Sequence, residues 1–162
     1  MSTPSSDAPA SGQCLCGATR LRLIGAPLWI AHCHCHSCRK ATGAPVTTYV
    51  GMRTADVEWL AGSPRHFASS PGVRRGACPT CSSPLTYESD RFPDEVHVHL
   101  SVLDAPQAFP PRGHVFWSER IAWFDTADGL PRFETTGSQG TAVTREAAPA
   151  ATALGREQGK HG

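Results

Sequence analysis

Apolar and polar residues alternate along this chain in short stretches, each stopped by glycine or proline. Ala18-Thr19-Arg20-Leu21-Arg22-Leu23 has the two-residue period of a half-buried strand, and Gly25-Ala26-Pro27 ends it. Leu28 to Ala31 is a second extended segment. Val46 to Val50 and Val57 to Leu60 read as strands joined by a polar bend around Arg53 to Asp56, with Gly62-Ser63-Pro64 as a turn. Arg65 to Ser69 and Gly72 to Ala77 are further strand candidates around Pro71-Gly72, and Leu85 to Tyr87 follows. The clearest strand runs from Glu95 to Val102, with Val96, Val98, Leu100 and Val102 on one face and His97, His99 and Ser101 on the other. His114 to Trp117 predicts a last aromatic strand, and Ile121 to Phe124 a short turn or helix.

No long amphipathic helix and no internal repeat interrupts this pattern, so the chain reads as a mainly β domain with short helical turns. The expected organisation is a disordered segment over residues 1–11, a folded domain over 12–133 and a flexible tail over 134–162. With 15 Gly, 14 Pro and 18% charged residues, the domain is loop-rich and its core modest, so bound metal is expected to add folding free energy. The formal net charge of +1 comes from interspersed charges rather than a basic stripe, which argues against nucleic acid as a partner. No run approaches the roughly 18 apolar residues of a membrane span. Met1 to Gln13 lacks the basic start and apolar stretch of a signal peptide. A reducing cytoplasm is the expected compartment.

Seven cysteines fall into three clusters, Cys14-x-Cys16, Cys33-x-Cys35-x-x-Cys38 and Cys78-x-x-Cys81. Disulfides fit poorly, because the number is odd and rings closed between Cys14 and Cys16 or Cys33 and Cys35 would be strained. Soft ligands at these spacings suit zinc, which binds sulfur at about 2.3 Å. The count divides as four plus three. Cys14, Cys16, Cys78 and Cys81 make a closed structural site that clips a long loop. Cys33, Cys35 and Cys38 make a second site with one position open, as in zinc enzymes. Ser37 to Thr42 before Gly43 suits a short helical turn with Ser37 as N-cap, which would favour a thiolate at Cys38.

His32, His34 and His36 interleave with the central cysteines and face the other side of an extended segment. They pack near the site, or one of them completes an inert Cys₃His centre. His97 and His99 are surface or pocket residues or a general base, and His114 lines a cleft or is a satisfied core histidine.

Cys14-Leu15-Cys16-Gly17, Cys33-His34-Cys35-His36-Ser37-Cys38-Arg39-Lys40-Ala41-Thr42-Gly43-Ala44-Pro45 and Cys78-Pro79-Thr80-Cys81-Ser82-Ser83-Pro84-Leu85 together resemble the glutathione-dependent formaldehyde-activating enzyme family, which includes centromere protein V. The likeness continues through Ser101-Val102-Leu103-Asp104 and His114-Val115-Phe116-Trp117 to Trp123. It implies a small zinc-bound β-tent fold and two zinc ions, structural at Cys14, Cys16, Cys78 and Cys81 and catalytic at Cys33, Cys35 and Cys38. It also implies a carbon–sulfur lyase that joins glutathione, or another small thiol, to formaldehyde or another aldehyde. The alternative is a non-catalytic zinc-binding interaction module on the same fold. Arg39, Lys40, Arg74 and Arg75 are candidates, by charge alone, to hold substrate carboxylates; solvated surface charge is the plain alternative. The family usually has glycine where this chain has Ser82, a position expected to need a positive φ.

Overall fold

The computed structural model describes residues 10–137 and 142–143. Two sheets account for most of it. A three-stranded sheet has the order β1 (Ala10–Gln13), β2 (Arg20–Leu23), β5 (Val57–Ala61). A nine-stranded sheet contains β3 (Trp29–Cys33), β4 (Thr47–Arg53), β6 (Arg65–Ser70), β7 (Val73–Ala77), β8 (Pro84–Ser89), β9 (Glu95–His99), β10 (His114–Val115), β11 (Arg132–Phe133) and β12 (Ala142–Val143). Its order is β12-β11-β10-β3-β4-β9-β8-β7-β6. Among the described residues the fold is mainly β, with one seven-residue helix, α1 (His36–Thr42).

The period-two pattern explains the packing. Ile30, Val50, Met52, Val96 and Val98 lie on one face of the large sheet and join Leu21, Leu23, Leu85, Leu103 and Phe109 in the main core. Cys14 and Cys78 belong to that core as well. The opposite face carries a smaller cluster of Cys33, Cys38 and Tyr49, flanked by Trp29, Cys35, Tyr87, Val115 and Phe116. Gly12 pairs with Leu103 where the small sheet meets the main core, and a Cβ there would lie 2.5 Å from the Val102 carbonyl oxygen. That separation is too short for any side chain, so the approach of the two backbones requires glycine.

Several boundaries differ from expectation. β1 begins at Ala10, inside the segment expected to be disordered, because its backbone pairs with β2 from Ala10↔Leu23 to Gln13↔Arg20. β12 falls within the expected tail and pairs with β11. The remainder of those two segments, residues 1–9, 138–141 and 144–162, lies outside the described residues. The strand expected to reach Val102 stops at His99, where the chain turns into a 3₁₀ turn over Leu100–Val102. The aromatic strand is likewise only two residues long and passes through Phe116, at φ 55, into a 3₁₀ turn. Alternating hydrophobicity does not register such turns, because Val102 and Trp117 remain buried on either path. Among the described residues no helix is long and apolar enough to cross a membrane.

Candidate metal centres and active site

Cys14, Cys16, Cys78 and Cys81 converge, with all four sulfurs within 4.8 Å of one another. Two tight knuckles aim them. In the first, the Gly17 N–H donates to the Cys14 carbonyl at 3.0 Å, and the Thr19 N–H points at the Cys14 sulfur at 3.3 Å. In the second, the Ser82 N–H donates to the Cys78 carbonyl at 2.9 Å, and the Thr80 N–H reaches the Cys78 sulfur at 3.4 Å. Each knuckle closes on a left-handed residue, Gly17 at φ 75 and Ser82 at φ 60. The positive φ expected at Ser82 is therefore present, in a residue that tolerates it less well than glycine. The Leu15 N–H donates to the Ser83 hydroxyl at 3.1 Å and ties the two knuckles together. The Ser83 hydroxyl and backbone N–H hold the Cys81 thiol down to about 5.

The sulfur spacing tests whether a metal fits. Two sulfurs on one tetrahedral zinc stand about 3.8 Å apart. Cys14 and Cys16 are separated by 3.5 Å and Cys16 and Cys78 by 3.9 Å, so these pairs already stand near the spacing such an ion requires.

The second centre gathers Cys33, Cys35 and Cys38, again within 4.8 Å of one another. Cys33 ends β3, while Cys35, not Ser37, caps α1: its sulfur accepts the Cys38 N–H at 3.3 Å. A sulfur at the N-cap leaves all three thiols on one side of the turn. Gly43 ends the helix in a left-handed cap, as the sequence suggested. Among the described residues no histidine or carboxylate joins this group. His34 turns away, with its Nε2 2.8 Å from His114 Nδ1 and its ring edge-on to Trp117. His32 is bonded to Thr48 Oγ1 at 2.8 Å, and His36 lies along a groove with Arg39, Lys40 and Trp123.

What does approach the three sulfurs is a buried arginine and a buried tyrosine. Arg75, 6% exposed, places its two terminal nitrogens 3.9 and 3.7 Å from the Cys38 sulfur. It also donates to the Tyr49 hydroxyl at 3.3 Å, and that hydroxyl points at the Cys38 sulfur at 3.5 Å. Neighbouring Cys33 and Cys35 thiols, together with Tyr49 and Arg75, hold the Cys38 thiol down to about 2 despite its burial. Burial opposes the charge on Arg75, but the Cys38 sulfur beside it more than compensates and keeps the guanidinium protonated. Burial and the Cys38 charge push the Tyr49 phenol up, so it remains a donor.

Sheet register assembles the rest of this face. Arg75 is opposite Tyr87, Tyr87 opposite His97, and Tyr49 opposite His99. The His97 ring stacks on Tyr87 at 5.0 Å, and the His99 ring lies 4.6 Å from Tyr49. Both histidines are buried rather than surface residues, and burial pushes each down to about 4, leaving it neutral near pH 7.

Of the four basic candidates, Arg75 is the one whose side chain reaches a central sulfur. Arg74 is exposed and pairs with Glu88, and Arg39 donates to the His34 and Glu119 carbonyls. Tyr49 and Tyr87 were not singled out from the sequence. Each alternates correctly for one face of a strand, but only the pairing of β7, β8, β9 and β4 shows that those faces coincide.

Comparison with known proteins agrees with the cysteine pattern. The family model described as "Glutathione-dependent formaldehyde-activating enzyme" matches residues 9–119. A Halomonas elongata protein named "Putative glutathione-dependent formaldehyde-activating enzyme" is 29% identical over 126 residues, covering 70% of this chain and 78% of that protein. A crystal structure of a Rhodobacter sphaeroides protein aligns at a TM-score of 0.48 and 21% identity, over 58% of this chain and 87% of that one. The last likeness is too loose to carry an argument.

Proposed function

This chain belongs to the glutathione-dependent formaldehyde-activating enzyme family, and from that premise we propose that it is a zinc-dependent carbon–sulfur lyase-type enzyme. Its reaction adds a small thiol, glutathione in the first instance, to formaldehyde or another aldehyde. Cys14, Cys16, Cys78 and Cys81 hold a structural zinc, and Cys33, Cys35 and Cys38 hold a second. Zinc held by these three sulfurs would supply a Lewis acid that lowers the pKa of a substrate thiol.

The observation that carries this reading is a three-sulfur group that no fourth protein ligand joins among the described residues, with the buried donors Arg75 and Tyr49 against its Cys38 sulfur. In the reaction a carbon–sulfur bond forms, and the carbonyl π pair becomes an alkoxide that takes up a proton. Arg75 and Tyr49 present N–H and O–H donors beside Cys38 and stabilise negative charge developing on that oxygen. The neutral, aromatic surroundings from Tyr87, His97 and His99 strengthen those contacts by excluding water. Trp29, whose indole N–H donates to Glu95 at 3.2 Å, closes the face beside His97.

Two measurements test the proposal. Elemental analysis of replete protein is expected to find two zinc ions, one lost on mild chelation and one retained. Exchange spectroscopy with labelled formaldehyde and glutathione is expected to show adduct formation and reversal above the spontaneous rate, and to lose the excess in Cys35→Ala. An unchanged rate at full zinc loading leaves the non-catalytic interaction module as the reading.

A further inference from the structure

We propose that His32, His114 and Asp128 form a third metal site, distinct from both cysteine centres, for a borderline divalent ion such as Zn²⁺ or Co²⁺. These three residues present ligand atoms within 4.8 Å of one another. Register creates the juxtaposition: His114 on β10 is directly opposite His32 on β3, and β10 also pairs with β11, which follows the loop carrying Asp128. The His32 and His114 ring centroids lie 4.9 Å apart, tilted by 33°. His114 Nε2 is 3.1 Å from each carboxylate oxygen of Asp128, close to the about 3.3 Å between two nitrogen or oxygen ligands of tetrahedral zinc. Because His32 alternates with Cys33 along β3, the site faces away from the three-sulfur group.

Three features fit a metal rather than a plain hydrogen-bonded pair. First, the ring nitrogens not needed for ligation are engaged, His32 Nδ1 by Thr48 Oγ1 and His114 Nδ1 by His34 Nε2, each at 2.8 Å. Such outer contacts orient metal-binding histidines and fix the nitrogen offered to the ion. Second, the carboxylate is held in place: the Leu130 N–H donates to Asp128 Oδ1 at 3.0 Å, and Thr126 Oγ1 lies 3.4 Å from His114 Nε2 on the same side of the ring. Third, there is a way in. His114 is fully buried, but the Asp128 side chain is 30% exposed and forms the mouth. Arg132 touches Asp128 Oδ1 at 3.3 Å and approaches Asp125 at 3.6 Å, so its positive charge is already met by carboxylates. Asp128 Oδ2 faces His114.

Two imidazoles and a carboxylate select borderline transition ions over magnesium, calcium or thiophilic copper(I), and leave a fourth position open. Ligation at His114 Nε2 places its proton on Nδ1 and moves that of His34 to a buried nitrogen with no hydrogen-bond partner among the described residues. That cost makes this the weakest of the three sites.

The test uses the full chain with both cysteine centres filled with zinc, titrated with Co²⁺ alone. A third ion is expected, with weak visible bands and no sulfur-to-cobalt charge-transfer absorption, while both zinc ions stay bound. Asp128→Asn and His32→Gln are expected to weaken it more than tenfold with the zinc count unchanged. Thr48→Val, which touches no metal, should weaken it about tenfold. The proposal is overturned if wild type takes up no third ion, if cobalt appears only with sulfur charge transfer and released zinc, or if both ligand variants bind it as tightly as wild type. The wild-type titration decides the matter even if a variant fails to fold.

Discussion

The Arg75 guanidinium lies 3.7 Å from the Cys38 sulfur, in a pocket where the arginine is 6% exposed. A buried cation persists only where something anionic meets it. The three-cysteine group is therefore coupled electrostatically to a strand that the chain enters 35 residues later. On the proposed function, Arg75→Met is expected to lower the rate of adduct formation by roughly 100-fold or more, the usual loss for one transition-state donor. Arg75→Lys should recover only part of it, since one ammonium cannot reach both Cys38 and Tyr49 as the fork does. Zinc content measured alongside separates this from simple loss of metal; full activity in Arg75→Met removes the residue from the mechanism.

The two cysteine centres should fail differently. Cys14 and Cys78 are 2% and 0% exposed and belong to the main core, whereas Cys35 is half-buried at the edge of a smaller cluster. Cys14→Ala or Cys81→Ala is expected to unfold the domain at much lower temperature, because metal binding at a closed site is folding free energy. Cys35→Ala should stay folded and lose one zinc. Melting curves with the opposite ranking exchange the two roles.

Ser82 holds a left-handed conformation at φ 60 with its side chain exposed. Ser82→Gly removes the steric cost of that conformation and should raise stability by about 1 kcal/mol, with zinc content unchanged. Denaturant midpoints measure this directly; a lower midpoint shows that the serine contributes something the turn geometry does not reveal.

Acid should destabilise the protein through His97 and His99. Both are driven by burial from the ordinary 6.5 to about 4 in the folded state. The folded chain therefore binds fewer protons than the unfolded one between those values. The stabilisation is fully present above pH 6.5 and lost as pH falls toward 4, on the order of 3 kcal/mol per ring. Urea midpoints for wild type and a His97→Gln, His99→Gln variant should diverge across that window, with wild type the steeper. Acid release of the proposed zinc would be common to both chains, so parallel profiles below pH 6.5 would exonerate the histidines.

The cysteine spacings and the strand pattern were legible in one dimension because both are local. A C-x-C or C-x-x-C knuckle is a property of a few consecutive residues, and alternation assigns Val96 and Val98 to one face and His97 and His99 to the other whatever strand lies beside them. Family membership follows from the same local signatures. Which faces meet is a property of register, and register is set by the packing of the whole sheet. Nothing in the sequence near Arg75 distinguishes it from Arg74; pairing β7 through β8 and β9 to β4 buries the first against Cys38 and leaves the second in solvent with Glu88. The parallel pairing of β10 with β3 likewise set His114 against His32, which lies 82 positions earlier in the chain. Short-range chemistry wrote the cysteine clusters into the sequence, and only long-range strand pairing chose their neighbours.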